Sequence, residues 1–132
     1  MLCDHAEVAD GKLFINGGGW DQIPPHGGPT GLAMLMHVPW DKTNERRTVQ
    51  GALIDHDGNP VRQHTPEGES TVGFELGFEV GRPVGVPPGS EVAIPFALNF
   101  PPMALRPTQG YTWLFTLDGD ELGRVSFRTR AG

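Results

Sequence analysis

Apolar and polar positions alternate over long segments in the later half of the chain. Three segments have an apolar side chain at every second position: 72–80, 92–100 and 111–117. A period of two places these side chains on one face of a β-strand, so each segment predicts a strand with one buried and one wet face. The pattern continues over 122–130, after an Asp118-Gly119 hairpin turn.

Shorter alternating segments in the first half predict further strands. These are 2–9, 12–16, 32–38 and 48–55. The Asp10-Gly11 pair predicts a tight turn that joins the first two as a hairpin. Segment 32–38 is apolar on both faces, as in a central strand, whereas the polar stretch 64–70 predicts an exposed loop.

The segment from Trp20 to Gly31 contains three prolines and three glycines, which predicts a long surface loop without regular structure. Eight or nine short strands are thus expected, and helical periodicity extends over no more than a turn. This pattern predicts an all-β chain that forms one domain over residues 1–132: a two-sheet antiparallel β-sandwich. A closed β-barrel is the alternative.

The composition agrees with many turns and limits the function classes. The chain has 19 glycines and 13 prolines, and they fall between the apolar runs. A net charge of −6 gives no electrostatic footprint for nucleic acid or for an anionic membrane. Cys3 is the single cysteine, which excludes a disulfide within the chain and a cysteine-based zinc site. The first residues lack the pattern of a secretory signal, so the cytoplasm is the expected compartment.

Two segments resemble a known group of proteins. The first runs from Asp4 through the Gly11-Lys12 turn to Gly17-Gly18-Gly19-Trp20, and the second is Gly110-Tyr111-Thr112-Trp113 followed by Asp118-Gly119. Both resemble a family of small uncharacterised bacterial β-sandwich proteins, and the second is also similar to immunoglobulin-like and C2-like sandwiches. The resemblance implies a sandwich fold and carries no activity.

Two clusters of acidic and polar side chains invite a metal-site interpretation. His5 and Glu7 share a strand face, but Asp4 points to the other, so a solvated strand is the expected role. Asp55, Asp57 and Asn59 have the alternation of a calcium loop, yet Pro66 occupies the twelfth position, where that loop needs glutamate. A hairpin turn is the expected role there, and no metal or cofactor is predicted.

The candidate nucleophiles and bases form no recognisable catalytic pattern. Five histidines and three serines are present without a Gly-x-Ser-x-Gly elbow. Cys3, in a first strand, is expected to be a small buried hydrophobe. Gly17-Gly18-Gly19 lacks the Lys-Ser/Thr that completes a phosphate loop, so a bulge or a sharp strand exit explains it better. The chain is therefore not expected to be an enzyme.

Six residues are candidates for contact with a ligand or partner. Aromatic and polar side chains at loop boundaries could line a groove, and two apolar side chains lie on a connection expected at the surface. The candidates are Trp20, Asp21, His26, Trp40, Met103 and Leu105. Alternatively, the tryptophans cover the end of the core and contact no ligand. The loop containing Met103 and Leu105 either folds over the end of the sandwich or forms an exposed apolar patch.

Two functional hypotheses follow from these observations. The leading one is a non-catalytic protein-interaction or structural module that docks on another protein or on itself, as in a homodimer, through a sheet face or an edge strand. The alternative is a small-ligand domain that binds a carbohydrate or metabolite with the 17–31 loop. Nucleic acid and membrane are not expected as partners.

Overall fold

The strands follow the alternating segments of the sequence. The computed structural model describes residues 1–25, 28–81, 84–85 and 87–131. The described residues form twelve strands: β1 (Leu2–Cys3), β2 (His5–Ala9), β3 (Lys12–Asn16), β4 (Gln22–Ile23), β5 (Thr30–Val38), β6 (Arg46–Asp55), β7 (Arg62–Thr65), β8 (Gly68–Thr71), β9 (Gly73–Glu79), β10 (Val92–Phe100), β11 (Gly110–Leu117) and β12 (Asp120–Thr129). Trp40–Lys42 forms a 3₁₀ turn. The all-β prediction is confirmed, with more and shorter strands than expected.

The strands are arranged in two larger sheets and two hairpins. One sheet has the order β1-β5-β10 and the other β4-β12-β11-β6-β9, while β2-β3 and β7-β8 pair by themselves. One of the sheets is curled as half a barrel. In the part of the chain that is described, no helix is long and apolar enough to span a bilayer.

Two predicted loops contain short strands. The 20–31 segment includes β4, which pairs parallel with Arg128 and Thr129 of β12, so the expectations of an irregular loop and of purely antiparallel sheets are wrong here. Burial of Ile23 stabilises this short pairing. The polar stretch 64–70 was expected to be a loop but falls within the β7-β8 hairpin, where the Thr65 hydroxyl donates to the Gly68 carbonyl at 2.6 Å.

Both predicted Asp-Gly hairpin turns are present. Asp10 and Gly11 have φ values of 52° and 70°, and Asp118 and Gly119 have 49° and 92°. Positive φ at both central residues defines the type I′ turn, whose twist matches that of the flanking strands. The turns join β2 to β3 and β11 to β12.

The core contains residues from both larger sheets. Its buried members are Leu2, Ile23, Leu32, Leu53, Met103, Tyr111, Trp113, Phe115 and Phe127. Tyr111, Trp113 and Phe115 alternate along β11, which confirms the inward face predicted for that segment. A second cluster of Cys3, Ala6 and Ala33 lies between the β2-β3 hairpin and the three-stranded sheet.

Two side-chain amides connect segments that no sheet joins. Asn99 of β10 accepts from the Ala6 N–H at 3.0 Å and donates to the Ala6 carbonyl at 2.7 Å. Gln63 of β7 makes the same reciprocal pair with the backbone of Ala104, at 3.0 Å in both directions. Each amide thereby imitates a neighbouring strand and holds a hairpin or loop in place.

Candidate functional site

One edge of β5 is only partly covered by another strand. On one side β5 pairs with β10 from Thr30 to Val38. On the other side β1 pairs only with Gly31 and Leu32, and Met1 then exchanges two hydrogen bonds with Ala33, at 2.8 and 2.9 Å. Beyond Ala33, no strand among the described residues pairs with this edge.

The direction of the free backbone groups follows from the alternation along a strand. Successive residues of an antiparallel strand point their N–H and C=O groups to opposite sides. Because the Ala33 groups face Met1, those of Leu35 and His37 face the same uncovered side. The edge therefore presents two N–H and two C=O groups to a further strand.

The edge of β12 that faces β5 is also largely uncovered. The amides of Arg128 in β12 and of Arg130, directly after β12, donate to the carbonyls of Asp21 and Ile23, at 2.8 and 2.9 Å. The N-terminal part of β12 pairs with β11 alone among the described strands. Two strand edges, one from each larger sheet, are thus uncovered on the same side of the molecule.

A groove of about 440 Å³ lies between these two edges. Its walls come from the start of the chain, β5, β11 and β12: Met1, Ala33, Met34, Leu35, Met36, His37, Phe115, Leu122, Gly123, Arg124 and Val125. Most of these side chains are apolar. The groove therefore combines an apolar interior with a rim of free backbone groups.

Exposed apolar side chains collect along this side. Met1, Leu35 and Leu122 line the groove and are 57%, 54% and 52% exposed, and Ile15 is 39% exposed. Met1 and Ile15 adjoin, because Met1 Sδ and Ile15 Cγ2 both lie 2.9 Å from the place of a Cβ on Gly18. We call the free backbone from Leu35 to His37, together with these four side chains, the open edge. Contiguous exposed apolar groups of this kind mark interaction surfaces.

The opposite side of the molecule is blocked against further pairing. Pro95 of β10 lies opposite Leu35, so its ring nitrogen faces outward, where another residue would offer an N–H. The neighbouring edge strand β9 carries Glu75 and Glu79 on its exposed face. Phe78 and Phe96, with ring centroids 5.5 Å apart, close the gap between these two strands. Proline and charge are the usual devices that protect edge strands, which makes the open edge distinctive.

Charged groups around the open edge are paired within the chain. His37 Nδ1 lies 3.3 Å from Glu91 Oε2. Arg124 donates to Glu121 at 2.9 Å, and this hydrogen bond lowers the pKa of Glu121. The open edge itself contains no acidic side chain, although the whole chain has a net charge of −6.

A second, polar cleft of about 520 Å³ lies at the far end of β6. Its lining includes Asp55, His56, Arg62, Arg106 and Gln109. The Asp55 carboxylate accepts the N–H groups of both Asp57 and Asn59 at 2.9 Å, which is the hydrogen bonding of a turn. No three metal-ligating side chains come together in the described ranges.

Trp20 and Asp21 lie beside the C-terminal part of β12. The half-buried Trp20 ring packs edge to face on Phe127, with centroids 5.8 Å apart. Its buried indole N–H has no hydrogen-bond partner among the residues described. The exposed Asp21 side chain lines a shallow groove of about 350 Å³ with His56 and Arg128.

The structure does not bring Trp40 to Trp20. Phe127, which Trp20 contacts, pairs with Tyr111, and Tyr111 lies opposite Asp55 at the end of β6. Trp40 lies in the 3₁₀ turn, close in sequence to Asn44, whose N–H donates to Val80 near the start of β6. The two tryptophans are thus at opposite ends of that strand. His26, the fourth residue of the predicted groove, lies outside the described residues.

Met103 and Leu105 cover the core at the end of the sheets. Met103 is buried within the core cluster, and the half-buried Leu105 packs against it. The Leu105 N–H donates to the Pro25 carbonyl at 2.8 Å, so this connection is tied to the loop that precedes β5. Of the two arrangements that the sequence left open for this loop, the structure has the one in which the loop folds over the end of the sheets.

The open edge is not evident from the amino-acid sequence. Leu35 belongs to a segment that is apolar on both faces, which predicts a strand covered on both sides. The structure covers only its first part, because pairing with β1 and Met1 ends at Ala33. The signal in the sequence is a leucine on the second face of this strand, and it becomes informative only when the neighbouring strand is known.

Comparison with known proteins gives a family without an assigned activity. A family model described as a family of unknown function (DUF6941) matches residues 1–130. No curated protein and no solved structure matches the chain.

Proposed function

Because this chain belongs to a family of unknown function, DUF6941, we propose its function from its geometry. It is a non-catalytic protein-interaction module, and the open edge takes up an extended protein segment as an additional strand. The observation that carries this proposal is the pair of free backbone positions, Leu35 and His37, at the rim of an apolar groove. Strand addition of this kind obtains affinity from main-chain hydrogen bonds and specificity from alternate side chains.

The spacing of the free groups favours a polypeptide as the ligand. Leu35 and His37 are two residues apart, which is about 6.8 Å along an antiparallel strand. A polypeptide repeats its N–H and C=O groups at the same interval. Its alternate side chains would enter the groove beside Met34 and Met36, both half-buried.

The state of the candidate nucleophiles supports a non-catalytic role. Cys3 is buried beneath the first hairpin, and burial raises the pKa of its thiol, which keeps it protonated at neutral pH. Ser126, on the outer face of β12, forms a hydrogen bond with the Thr112 hydroxyl at 2.9 Å. Among the described residues, neither side chain is hydrogen-bonded to a histidine ring or a carboxylate that could act as its base.

We also propose that the two larger sheets form an immunoglobulin-like or C2-like sandwich. Their inward side chains share one core cluster. In addition, the Tyr111 hydroxyl, at the start of β11, accepts the N–H of Arg106 five residues upstream at 3.0 Å. That contact resembles the tyrosine corner of such sandwiches.

Photo-crosslinking tests the proposed interaction. A benzophenone amino acid at Leu35 is expected to give protein adducts in the native cell. The same group at Glu75, which is exposed on the blocked side, serves as the matched control and is expected to give none. Equal adducts at both positions, or none at Leu35, would contradict the proposal.

The small-ligand alternative at the 17–31 loop stays a prediction. The shallow groove beside Asp21 supports it, whereas the separation of Trp20 from Trp40 does not. A metabolite or sugar that raises the melting temperature of the native chain, but not of Trp20→Ala, would favour this alternative.

A further inference from the structure

We infer that the segment received by the open edge is β5 of a second copy of this chain, paired antiparallel about a two-fold axis at Met36. This inference rests on the proposed function and names its partner. An antiparallel strand edge is self-complementary, because rotation by a half turn places its N–H groups against its own C=O groups.

Only one register uses both free backbone positions. If Leu35 lies opposite His37 of the second copy, the two-fold axis also places His37 opposite Leu35 of that copy. Each of these two pairs exchanges two hydrogen bonds, which gives four in total. A shift toward the start of β5 places the second copy against Ala33, whose groups are already bonded to Met1. A shift the other way leaves Leu35 unpaired. The free groups therefore place the axis at Met36.

The length of the uncovered edge agrees with this register. The gap extends from Met34, next to the Met1–Ala33 pair, to Val38 at the end of β5. In the second copy, the same five residues fill the gap. Pro39 then begins the 3₁₀ turn, so the incoming strand ends before it reaches Met1.

Charge favours a second copy at this edge over the blocked side. Two chains of net charge −6 repel each other, but the β5 segment from Met34 to Val38 has no acidic residue, and the nearby Arg124 and Glu121 neutralise each other within each copy. The blocked side instead carries the glutamates of β9. A nearly neutral, apolar patch on an acidic chain suits another copy of itself better than a charged ligand.

Sedimentation of the full chain over a wide micromolar range tests the dimer. The wild type is expected to show a reversible monomer–dimer equilibrium. Leu35→Pro removes an N–H that bonds to nothing among the described residues, and it is expected to weaken the dimer on the order of a hundredfold. Leu35→Val keeps that N–H and is the matched control. A wild type that stays monomeric throughout would overturn the inference.

Disulfide trapping tests the register without depending on whether the fold accepts proline at position 35. In a Cys3→Ala background, Met36→Cys places the two thiols on directly opposed residues, whose Cα atoms are about 4.5 Å apart in such a pair. Leu35→Cys, the control, places them beyond the bonding range of about 7 Å. Rapid oxidation of Met36→Cys alone, with an unchanged circular dichroism spectrum, is expected. Crosslinking of Leu35→Cys instead would overturn this register.

The two proposals fail in different ways. Adducts at Leu35 with a different protein, together with a monomer in sedimentation, would overturn the dimer and leave the proposed function intact. Absence of both the adducts and the dimer would overturn both.

Discussion

At the residue scale, burial decides how much a side-chain amide contributes. Asn99 and Gln63 make equivalent reciprocal hydrogen bonds with a backbone residue. The residue bound by Asn99 is the fully buried Ala6, whereas Gln63 binds the exposed Ala104. Water can replace Gln63 but has no access to the backbone of Ala6.

Asn99→Ala is expected to lower the free energy of unfolding by about 1–3 kcal/mol, since it leaves a buried N–H and C=O without partners. Gln63→Ala is the matched control and is expected to cost less than about 1 kcal/mol. Chemical denaturation measures both. Equal losses in the two variants would show that burial of the partner is not the cause.

Asp118 makes stability depend on acid pH. Its pKa is lowered, first by the hydrogen bond from the Thr48 N–H at 2.9 Å and then by Arg47. A lowered pKa in the folded chain stabilises above the unfolded pKa, and this contribution is lost as the pH falls through the folded pKa. We therefore expect the wild type to lose more stability than Asp118→Asn between neutral pH and about pH 3. Parallel losses measured by thermal unfolding would contradict this assignment.

At the element scale, the longest alternating segments and the Asp-Gly turns could be predicted from the sequence. The strands β9 to β12 and both type I′ turns lie where the pattern indicated. The two-residue β4 could not be predicted, because it depends on pairing with β12, far along the chain. The β7-β8 hairpin has largely polar faces and so gives no alternating signal.

The site was less predictable than the strands for a related reason. Hydrophobic periodicity reports which face of a strand is buried, but it does not report which edge has a neighbour. The sequence therefore places Leu35 in a strand, and only the structure shows that the edge of this strand is open. The sequence places Trp20 and Trp40 at loop boundaries, but whether the two rings lie close together depends on the strand order.

Pro95 is expected to keep β10 from pairing with other chains. Pro95→Val supplies an outward N–H and is expected to cause concentration-dependent association beyond a dimer, measured by light scattering. Ala93→Val adds a similar side chain on the same strand without a new N–H and is the control. The same scattering from both variants would argue against a blocking role for Pro95.

At the scale of the whole molecule, one corner fixes the connection from β10 to β11, which links the two larger sheets. Tyr111 is buried and stacks on Phe127, with centroids 5.7 Å apart, while its hydroxyl accepts the Arg106 N–H. Thr129 donates to the Arg106 carbonyl and accepts from the Gln109 N–H at 3.0 Å. The loop before β11 is thus fixed to both strands that follow it.

Tyr111→Phe is expected to lower the free energy of unfolding by about 0.5–1.5 kcal/mol, because it removes the hydroxyl and keeps the ring. Thr112→Val removes an exposed hydroxyl from the neighbouring position of β11 and is expected to cost less. Urea denaturation compares the two. A smaller loss of unfolding free energy for Tyr111→Phe than for Thr112→Val would show that the hydrogen bond at this corner does not stabilise the fold.

We propose that the chain leaves the β5 edge open as a monomer and covers it by association. Amide hydrogen exchange at Leu35 and His37, followed at low and high protein concentration, tests it most directly. The amides of Met34 and Met36 face β10 and are internal controls, expected to be protected throughout. Leu35 and His37 are predicted to exchange rapidly when dilute and to become protected as the dimer forms. Protection of both amides in the monomer, or rapid exchange in a dimer, would contradict the account.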